Sequence, residues 1–223
     1  MTGAALPSRT PARAASAAAA ALAAAIGFGA SPAQAAGSAH ATEWNFRARL
    51  DDEPIGTHRF QLSAQGEERV LRSDASFAVK VLGITAYRYR HSATEHWRGD
   101  CLTALRATTD DDGKQTRVEL DRDELPGCAM SFAYWNPKIE RQTQLVNAQT
   151  GRVEQVRVEE LGAGTLPVRG RPTSATRWRI SGAAQPIDVW YTSGGEWVGL
   201  DSTVAGGRRH EAVAEIERTL ELV

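Results

Sequence analysis

Apolar and polar residues alternate with a period of two along most of the chain from residue 43 onward. In the first such segment the apolar positions are Trp44, Phe46, Ala48 and Leu50, with polar residues between them. Successive side chains of a β-strand point to opposite faces of a sheet, so this spacing predicts a strand with one buried face. The same pattern recurs in later segments and indicates a protein built mainly from antiparallel strands.

Turn-forming residues separate the alternating segments at short intervals. These turn signals are DDEP at 51–54, Gly66, Gly83, DDDG at 110–113 and SGG at 193–195. Short turns between successive strands predict a single antiparallel meander of about nine to eleven strands. Accumulated twist prevents so many strands from forming a flat sheet. The predicted fold is therefore all-β, as a strongly curved half-barrel or a closed barrel, with a two-sheet sandwich as the third arrangement.

Three segments do not follow the alternation. Residues 128–135 (CAMSFAYW) are apolar but short, so a helical turn packed on the sheet and a buried strand both fit, with Pro137 ending the element. Gly, Pro and Thr are frequent in 162–174, which predicts an irregular connection. In 208–222 helical and strand spacings both fit. A short helical segment, with 128–140 as a cover over a curved sheet, completes the predicted fold.

The N-terminal residues have the three parts of a secretory signal peptide. Arg9 and Arg13 form a positively charged start, residues 14–30 are an alanine-rich apolar run, and AQA at 33–35 matches the small-x-small cleavage pattern. An uncleaved membrane anchor is the alternative. Alanine is only mildly apolar, however, and the run is shorter than the ~20 residues of a typical span.

This pattern divides the chain into a signal peptide at 1–35, cleaved near Ala35, and a single β domain at 36–223. A secretory signal directs a protein out of the cytoplasm, so we expect an exported protein. After cleavage no stable membrane span is expected.

Cys101 and Cys128 are the two cysteines of the chain. An oxidising compartment favours a disulfide, and because no third thiol competes, the two residues are predicted to pair. Metal binding together with histidines is the alternative, but the absence of a C-x-x-C spacing argues against it.

Charge and missing motifs narrow the range of functions. The formal net charge is −1, and loss of the two arginines of the signal peptide takes this count to about −3. Such a balance gives no reason to expect a nucleic-acid partner. The chain has no G-x-S-x-G elbow, no H-E-x-x-H, no Walker loop and no G-x-G-x-x-G opening a helix. We expect no cofactor and no metal ion.

Polar residues share the predicted inward faces of two strands with aromatic residues. A buried imidazole or carboxyl group needs a polar partner, so these residues are candidates to contact one another or the polar end of a ligand. A structural hydrogen-bond network and a metal site formed by the histidines and the glutamate are the alternatives. The predicted ligand-binding residues are His58, Phe60, Tyr87, Tyr89, His91, Glu95 and Trp97.

Five stretches carry a resemblance to a known family, namely PIGTHRF (54–60), YRYRHSATEHWRGDCL (87–102), SFAYWNP (131–137), NAQTG (147–151) and IDVWYTSGGEWVGLDS (187–202). Together they resemble an uncharacterised family of exported proteins of Gram-negative bacteria that is known only as a domain of unknown function. That family is similar in outline to periplasmic β-meander proteins of the lipoprotein-carrier type, in which a curved, unclosed sheet shelters acyl chains. The resemblance implies an apolar or lipid ligand and supplies no catalytic residues.

These observations predict a periplasmic binding or carrier protein whose partner is a lipid or another apolar small molecule. Two other functions fit the sequence. The first is an enzyme of envelope lipid or glycan metabolism that uses His58, His91 and Glu95 as acid and base. The second is a structural envelope-assembly protein without a ligand.

Overall fold

The computed structural model describes residues 40–182, 185–203 and 209–215, and side chains within 41–182 and 185–202. The predicted signal peptide at 1–35 and its cleavage site lie outside these residues. The elements in chain order are β1 (His40–Leu50), β2 (Glu53–Gln65), β3 (Glu68–Val81), β4 (Ile84–Arg98), β5 (Cys101–Asp111), β6 (Lys114–Leu120), a 3-10 helix (Pro137–Arg141), β7 (Gln144–Val146), β8 (Val153–Gln155), β9 (Arg157–Val168), β10 (Arg171–Ser181), β11 (Ile187–Tyr191), β12 (Trp197–Thr203) and β13 (Arg209–Glu215).

Eleven of these strands form one antiparallel sheet in the order β6-β5-β4-β3-β2-β1-β13-β12-β11-β10-β9. The predicted all-β antiparallel fold is confirmed. Neighbouring strands are consecutive in the chain from β1 to β6 and again from β9 to β13. The two runs are joined where β1 pairs with β13, for example Ala48 with Ala212. Within the described part of the chain the sheet does not close, because its hydrogen-bonded order ends at β6 and β9.

Contacts across the sheet show how strongly it curves. Phe60 of β2 and Trp197 of β12 have ring centroids 4.9 Å apart, although β1 and β13 lie between their strands. Three steps across a flat sheet would separate these strands by about 14 Å. The sheet therefore bends around a concave face, and the large buried rings Trp44, Phe46 and Trp97 belong to the core inside it.

Residues 128–141, called the cover segment below, lie against this concave face. The Cys101–Cys128 disulfide ties the start of the segment to β5, which confirms the predicted pairing. Next to the disulfide, the Leu102 N–H donates a hydrogen bond to the Ala129 carbonyl at 2.8 Å. The cover segment is thus fixed to the sheet by one covalent bond and one backbone bond at the same place.

The middle of the cover segment contacts both halves of the sheet. The Tyr191 hydroxyl of β11 donates a hydrogen bond to the Tyr134 carbonyl at 2.7 Å. Trp135 packs edge to face on Trp97 of β4, with ring centroids 5.5 Å apart. β4 and β11 lie far apart in the strand order. Since the cover segment contacts both strands, its side chains fill the hollow of the curved sheet.

Residues 128–135 form neither of the two predicted alternatives, a helical turn or a buried strand. Their backbone is irregular, with one parallel bridge between Ser131 and Val146. The predicted short helical segment is present, but Pro137 is its first residue and not its end. Proline suits the first helical position because its missing N–H would have no intrahelical partner there. No helix among the described residues is long and apolar enough to cross a membrane.

The prediction of an irregular connection over 162–174 is wrong. These residues belong to the β9–β10 hairpin, whose turn consists of Arg169 and Gly170 alone. Pro167 and Pro172 lie directly opposite each other in the ladder, so the two missing backbone donors fall at one position. Since β9 is an edge strand, it also tolerates proline well. In 208–222, the described residues 209–215 form a strand.

Candidate functional site

A row of ring side chains crosses β2, β3 and β4 on the concave face. Strand register creates this row, because Phe77 of β3 lies opposite Tyr89 of β4. Two residues before Phe77 in β3, Ala75 lies between His58 of β2 and His91 of β4. Residues directly opposite each other point to the same face of a sheet, so the four rings share one surface.

Adjacent rings in the row are in contact. The His58 ring lies 4.1 Å from that of Phe60 and 6.2 Å from that of Phe77, centroid to centroid. Phe77 stacks on Tyr89 at 5.5 Å with an interplanar angle of 12°. Tyr89 in turn stacks on His91 at 6.4 Å. We call Phe60, His58, Phe77, Tyr89 and His91 the aromatic row.

Two phenol groups provide polar ends beside the row. Tyr89 is half-buried, and burial raises the pKa of its hydroxyl, so the group stays protonated at neutral pH. Tyr87 is exposed at the start of β4, and its hydroxyl donates a hydrogen bond to Asp111 Oδ1 at 2.6 Å. Burial and the neighbouring carboxylate of Asp111 raise the pKa of Tyr87 as well. Both phenols are therefore neutral, and the hydroxyl of Tyr87 donates to Asp111.

His91 is held by a hydrogen bond within the sheet. Its Nδ1 lies 2.9 Å from the Thr109 hydroxyl oxygen of β5. Burial lowers the pKa of the imidazole, an effect that the carboxylate of Asp74 partly opposes. The ring is consequently neutral at neutral pH, and Thr109 occupies one of its two nitrogens.

Glu95 lies beneath the cover segment. The Trp97 Nε1–H donates a hydrogen bond to Glu95 Oε2 at 3.1 Å. Burial raises the pKa of the carboxyl group to about 7, although Ser131 and Trp97 lower it by favouring the charged form. Ser131 Oγ is near enough to favour the charged carboxylate of Glu95, but its distance and angle do not meet the criteria of a hydrogen bond. Glu95 is thus a buried acid that titrates near neutral pH.

The three residues with acid–base chemistry do not form one cluster. His58 and His91 have a whole strand between them, a separation of about 10 Å. Glu95 is four residues from His91 along β4, a distance of about 13 Å. In the part of the chain that the structure describes, no three His, Cys, Asp or Glu side chains lie together as metal binding requires.

The structure divides the predicted ligand-binding residues into three groups. Four of them, His58, Phe60, Tyr89 and His91, lie in the aromatic row, where Phe60 and His91 are buried and His58 and Tyr89 are half-buried, and Tyr87 stands at its outer end. Glu95 and Trp97 lie under the cover segment and are inaccessible to a ligand in this conformation.

Two neighbours of the site are not among the predicted ligand-binding residues. Phe77 belongs to the aromatic row, and the alternation along β3 already points it inward, but only the position of β3 between β2 and β4 places it in the site. Tyr134 comes from the cover segment, and burial, then the nearby Tyr89, Glu154 and Glu95, raise the pKa of its phenol. The local pattern around Tyr134 contains no signal for this position.

The charges of a cluster on β10, β11 and β12 compensate one another. Asp188 accepts hydrogen bonds from Arg179 Nε and Arg177 Nε, both at 2.8 Å. Burial opposes the charge of Asp188, but the two arginines outweigh it and lower the pKa of this carboxyl group. Trp190 lies beside Arg177 and donates from Nε1 to Asp201 Oδ2 at 2.9 Å. These contacts indicate a structural role, since the charges satisfy one another.

Two surface depressions lie away from the aromatic row. One, of about 200 Å³, is beside β4, β5 and β6 and is lined partly by Arg106, Arg117 and Glu119. The other, of about 370 Å³, is near the β9–β10 turn and is lined partly by Arg169 and Glu196. Both are open and charged, so neither resembles the mostly apolar pockets that bind small molecules.

Comparisons with known proteins agree on the fold and on a family. No curated protein matches the chain. A crystal structure of a "beta-barrel-like protein of domain of unknown function DUF1849" from Brucella abortus has a TM-score of 0.50 at 13% identity, over 81% of this chain and 98% of that one. At this identity the likeness shows the fold alone. A family model described as "Domain of unknown function (DUF6134)" matches residues 46–213, and the chain therefore belongs to the DUF6134 family.

Proposed function

We propose that this protein is an exported, periplasmic binding or carrier protein for an apolar or amphiphilic, lipid-like molecule. The observation that carries the proposal is the aromatic row, five rings in contact inside a curved, open sheet, of which His58, Phe77 and Tyr89 are half-buried and present ring surface to a ligand. Ligand sites are typically concave and apolar, with a small number of polar groups that orient the ligand. The row has this composition.

The polar atoms of the row suit the head of an amphiphile. Tyr89 offers a neutral hydroxyl donor, and the imidazoles of His58 and His91 stand among the rings. A ligand chain lying across Phe77 and the ring of Tyr89 would bury apolar surface while its head contacts these groups. Each methylene buried in this way contributes about 0.8 kcal/mol.

The geometry favours binding over acid–base catalysis. General acid–base pairs act within hydrogen-bond reach of one reacting centre. His58 and His91 are about 10 Å apart, Thr109 engages His91, and Glu95 lies under the cover segment. These positions support a ligand surface more than a catalytic pair.

The proposed location rests on the N-terminal sequence and on the disulfide. Residues 1–35 have the composition of a secretory signal peptide, and the Cys101–Cys128 bond suits an oxidising compartment such as the periplasm. The sequence resemblance to periplasmic proteins of the lipoprotein-carrier type is the ground for proposing an acyl ligand.

A fluorescence displacement assay tests the proposal. N-phenyl-1-naphthylamine should bind with saturable fluorescence, and palmitate or lysophosphatidylcholine should displace it. Phe77→Ala and Tyr89→Ala each remove one ring of the row and should weaken probe binding roughly tenfold.

Leu161→Ala is the matched control, since Leu161 is an exposed apolar residue of β9 outside the row. It should leave probe binding unchanged. Equal affinity of all variants, or no saturable binding by the wild type, would contradict the proposed function.

A further inference from the structure

The hairpin of β3 and β4 continues past the last residues that pair with either of its neighbouring strands. Pairing of β2 with β3 ends at Gly56 and Phe77, and pairing of β5 with β4 ends at Asp111 and Tyr89. Beyond these positions, residues 78–88 pair only with each other among the strands that the structure describes. We call 78–88 the ribbon. At about 3.3 Å per residue, the four residues from there to the end of β3 make the ribbon roughly 13 Å long.

One face of the ribbon is apolar and continues the aromatic row. Val79 lies opposite Tyr87 and Val81 lies opposite Ile84, with Leu82 in the turn at the apex. Alternation along β3 places Val79 and Val81 on the face that carries Phe77 of the row. The apolar surface is therefore continuous from the interior of the curved sheet to the tip of the ribbon.

The tip of the ribbon exposes this apolar surface to solvent. The exposed fractions are 98% for Leu82, 73% for Ile84 and 55% for Val81, while Tyr87 behind them is 37% exposed. The opposite face carries Lys80, paired with Thr85. Contiguous exposed apolar residues on a soluble domain mark an interaction surface, and the ribbon is amphipathic as well.

We infer that the ribbon tip inserts into the interfacial region of a lipid bilayer. Leu82, Val81 and Ile84 would enter the boundary between headgroups and acyl chains, with Tyr87 and Lys80 at headgroup level. Interfacial elements have this distribution, with aliphatic residues inserted and aromatic and basic residues at the water boundary. The inference goes beyond the proposed function, because bilayer contact requires no ligand on the aromatic row.

Shape favours a bilayer over a second copy of the chain. A stable protein interface buries about 800 Å² on each partner, which a narrow two-stranded tip does not offer. The ribbon, roughly 13 Å long, is longer than the ~5–10 Å depth at which interfacial segments lie. Acidic residues 110–112 stand at the base of the ribbon, where the Arg88 N–H bonds Asp112. Asp111 accepts the hydrogen bond of Tyr87, and the β1–β2 turn at the same end of the sheet carries Asp51, Asp52 and Glu53. The contact with the bilayer therefore rests on the apolar residues of the tip and not on attraction between charges.

A fluorophore attached at the apex tests this inference directly. The two native cysteines form a disulfide, so Leu82→Cys in the full chain can be labelled selectively with an NBD maleimide. Vesicles of three parts phosphatidylethanolamine to one part phosphatidylglycerol should shift its emission to the blue and brighten it. The matched label at Leu161→Cys should not respond, since Leu161 is 45% exposed on a different strand.

Vesicle partitioning gives the second measurement. Leu82→Asp should lower the partition coefficient of the full chain at least tenfold relative to Leu161→Asp. The N-terminal apolar run is present in both variants, so its contribution cancels, and equal melting temperatures would show that both fold. An unchanged emission at Leu82→Cys, or equal partitioning of the two Asp variants, would overturn the inference. So would a dimer in analytical ultracentrifugation that Leu82→Asp abolishes while leaving vesicle binding intact.

Discussion

The carboxyl group of Glu95 is the clearest case of a single side chain whose properties depend on its surroundings. It is buried among Trp97 and residues of the cover segment, and burial raises its pKa to about 7 from the ordinary 4.5. In the unfolded chain the same group ionises near its ordinary pKa. The folded protein therefore holds this proton more tightly, and the proton's contribution to stability is greatest at low pH.

This shift predicts a pH-dependent stability that Glu95→Gln removes. The stabilisation is fully present below about pH 4.5 and is lost as the pH rises through about 7. Because the neutral amide does not titrate, Glu95→Gln should be more stable than the wild type at pH 8 by about 3 kcal/mol. At pH 5 the two proteins should differ little. Urea unfolding at both pH values measures the difference.

Glu160→Gln is the control for that experiment, since Glu160 is an exposed carboxylate on β9. Its difference from the wild type should be the same at pH 5 and pH 8. A Glu95→Gln effect that is also independent of pH would show that the carboxyl group is not protonated in the folded state.

At the scale of elements, the cover segment depends on bonds at its two ends. The disulfide holds its start. Near its end, Asp100 of the β4–β5 turn accepts hydrogen bonds from Lys138 Nζ at 2.5 Å and Asn136 Nδ2 at 3.1 Å, and Arg69 adds a third contact at 3.2 Å. The hydrogen bond from Lys138 is the main reason that the pKa of Asp100 is lowered.

Loss of the disulfide should destabilise the fold without changing its topology. Cys128→Ser opens a loop whose ends are 27 residues apart, and the chain-entropy model gives a cost of roughly 3–4 kcal/mol. Urea unfolding of the oxidised wild type and of Cys128→Ser measures this cost. The double variant Cys101→Ser/Cys128→Ser should cost little more than the single one, because the bond is already absent. An unchanged urea midpoint would contradict the expectation.

At the scale of the whole molecule, the curved sheet differs between its two strand ends. The cover segment and its disulfide are at the end that carries the β4–β5 turn. The aromatic row and the ribbon lie toward the opposite end, which carries the β3–β4 turn. A ligand surface at one end and packed core at the other would suit a protein that receives an amphiphile at a membrane, as proposed above.

The export proposal also belongs to this scale. Mass spectrometry of the protein isolated from its producing cells should find a mature N-terminus near Ala36, because signal peptidase cleaves after small-x-small patterns such as AQA at 33–35. Fractionation should place this form in the periplasm. A chain that retains residues 1–35 would refute cleavage.

The sequence by itself determined the strands and much of the ring surface. The alternation at Trp44, Phe46 and Ala48 predicts a strand because the direction of each Cβ depends only on the local backbone. The inward faces of β2 and β4 follow from the same rule, so His58 and His91 could be assigned to one surface in advance. The disulfide was also predictable, since the chain has two cysteines and no other pairing.

Only the tertiary structure decided which of these inward residues are accessible. Pairing of β1 with β13, the bend that brings Phe60 to Trp197, and the cover segment over Glu95 all depend on contacts between residues far apart in the chain. No periodicity encodes such contacts, because they depend on how loops close and which surfaces pack. The pattern could place Glu95 inward but could not show that Trp135 and its neighbours would cover it.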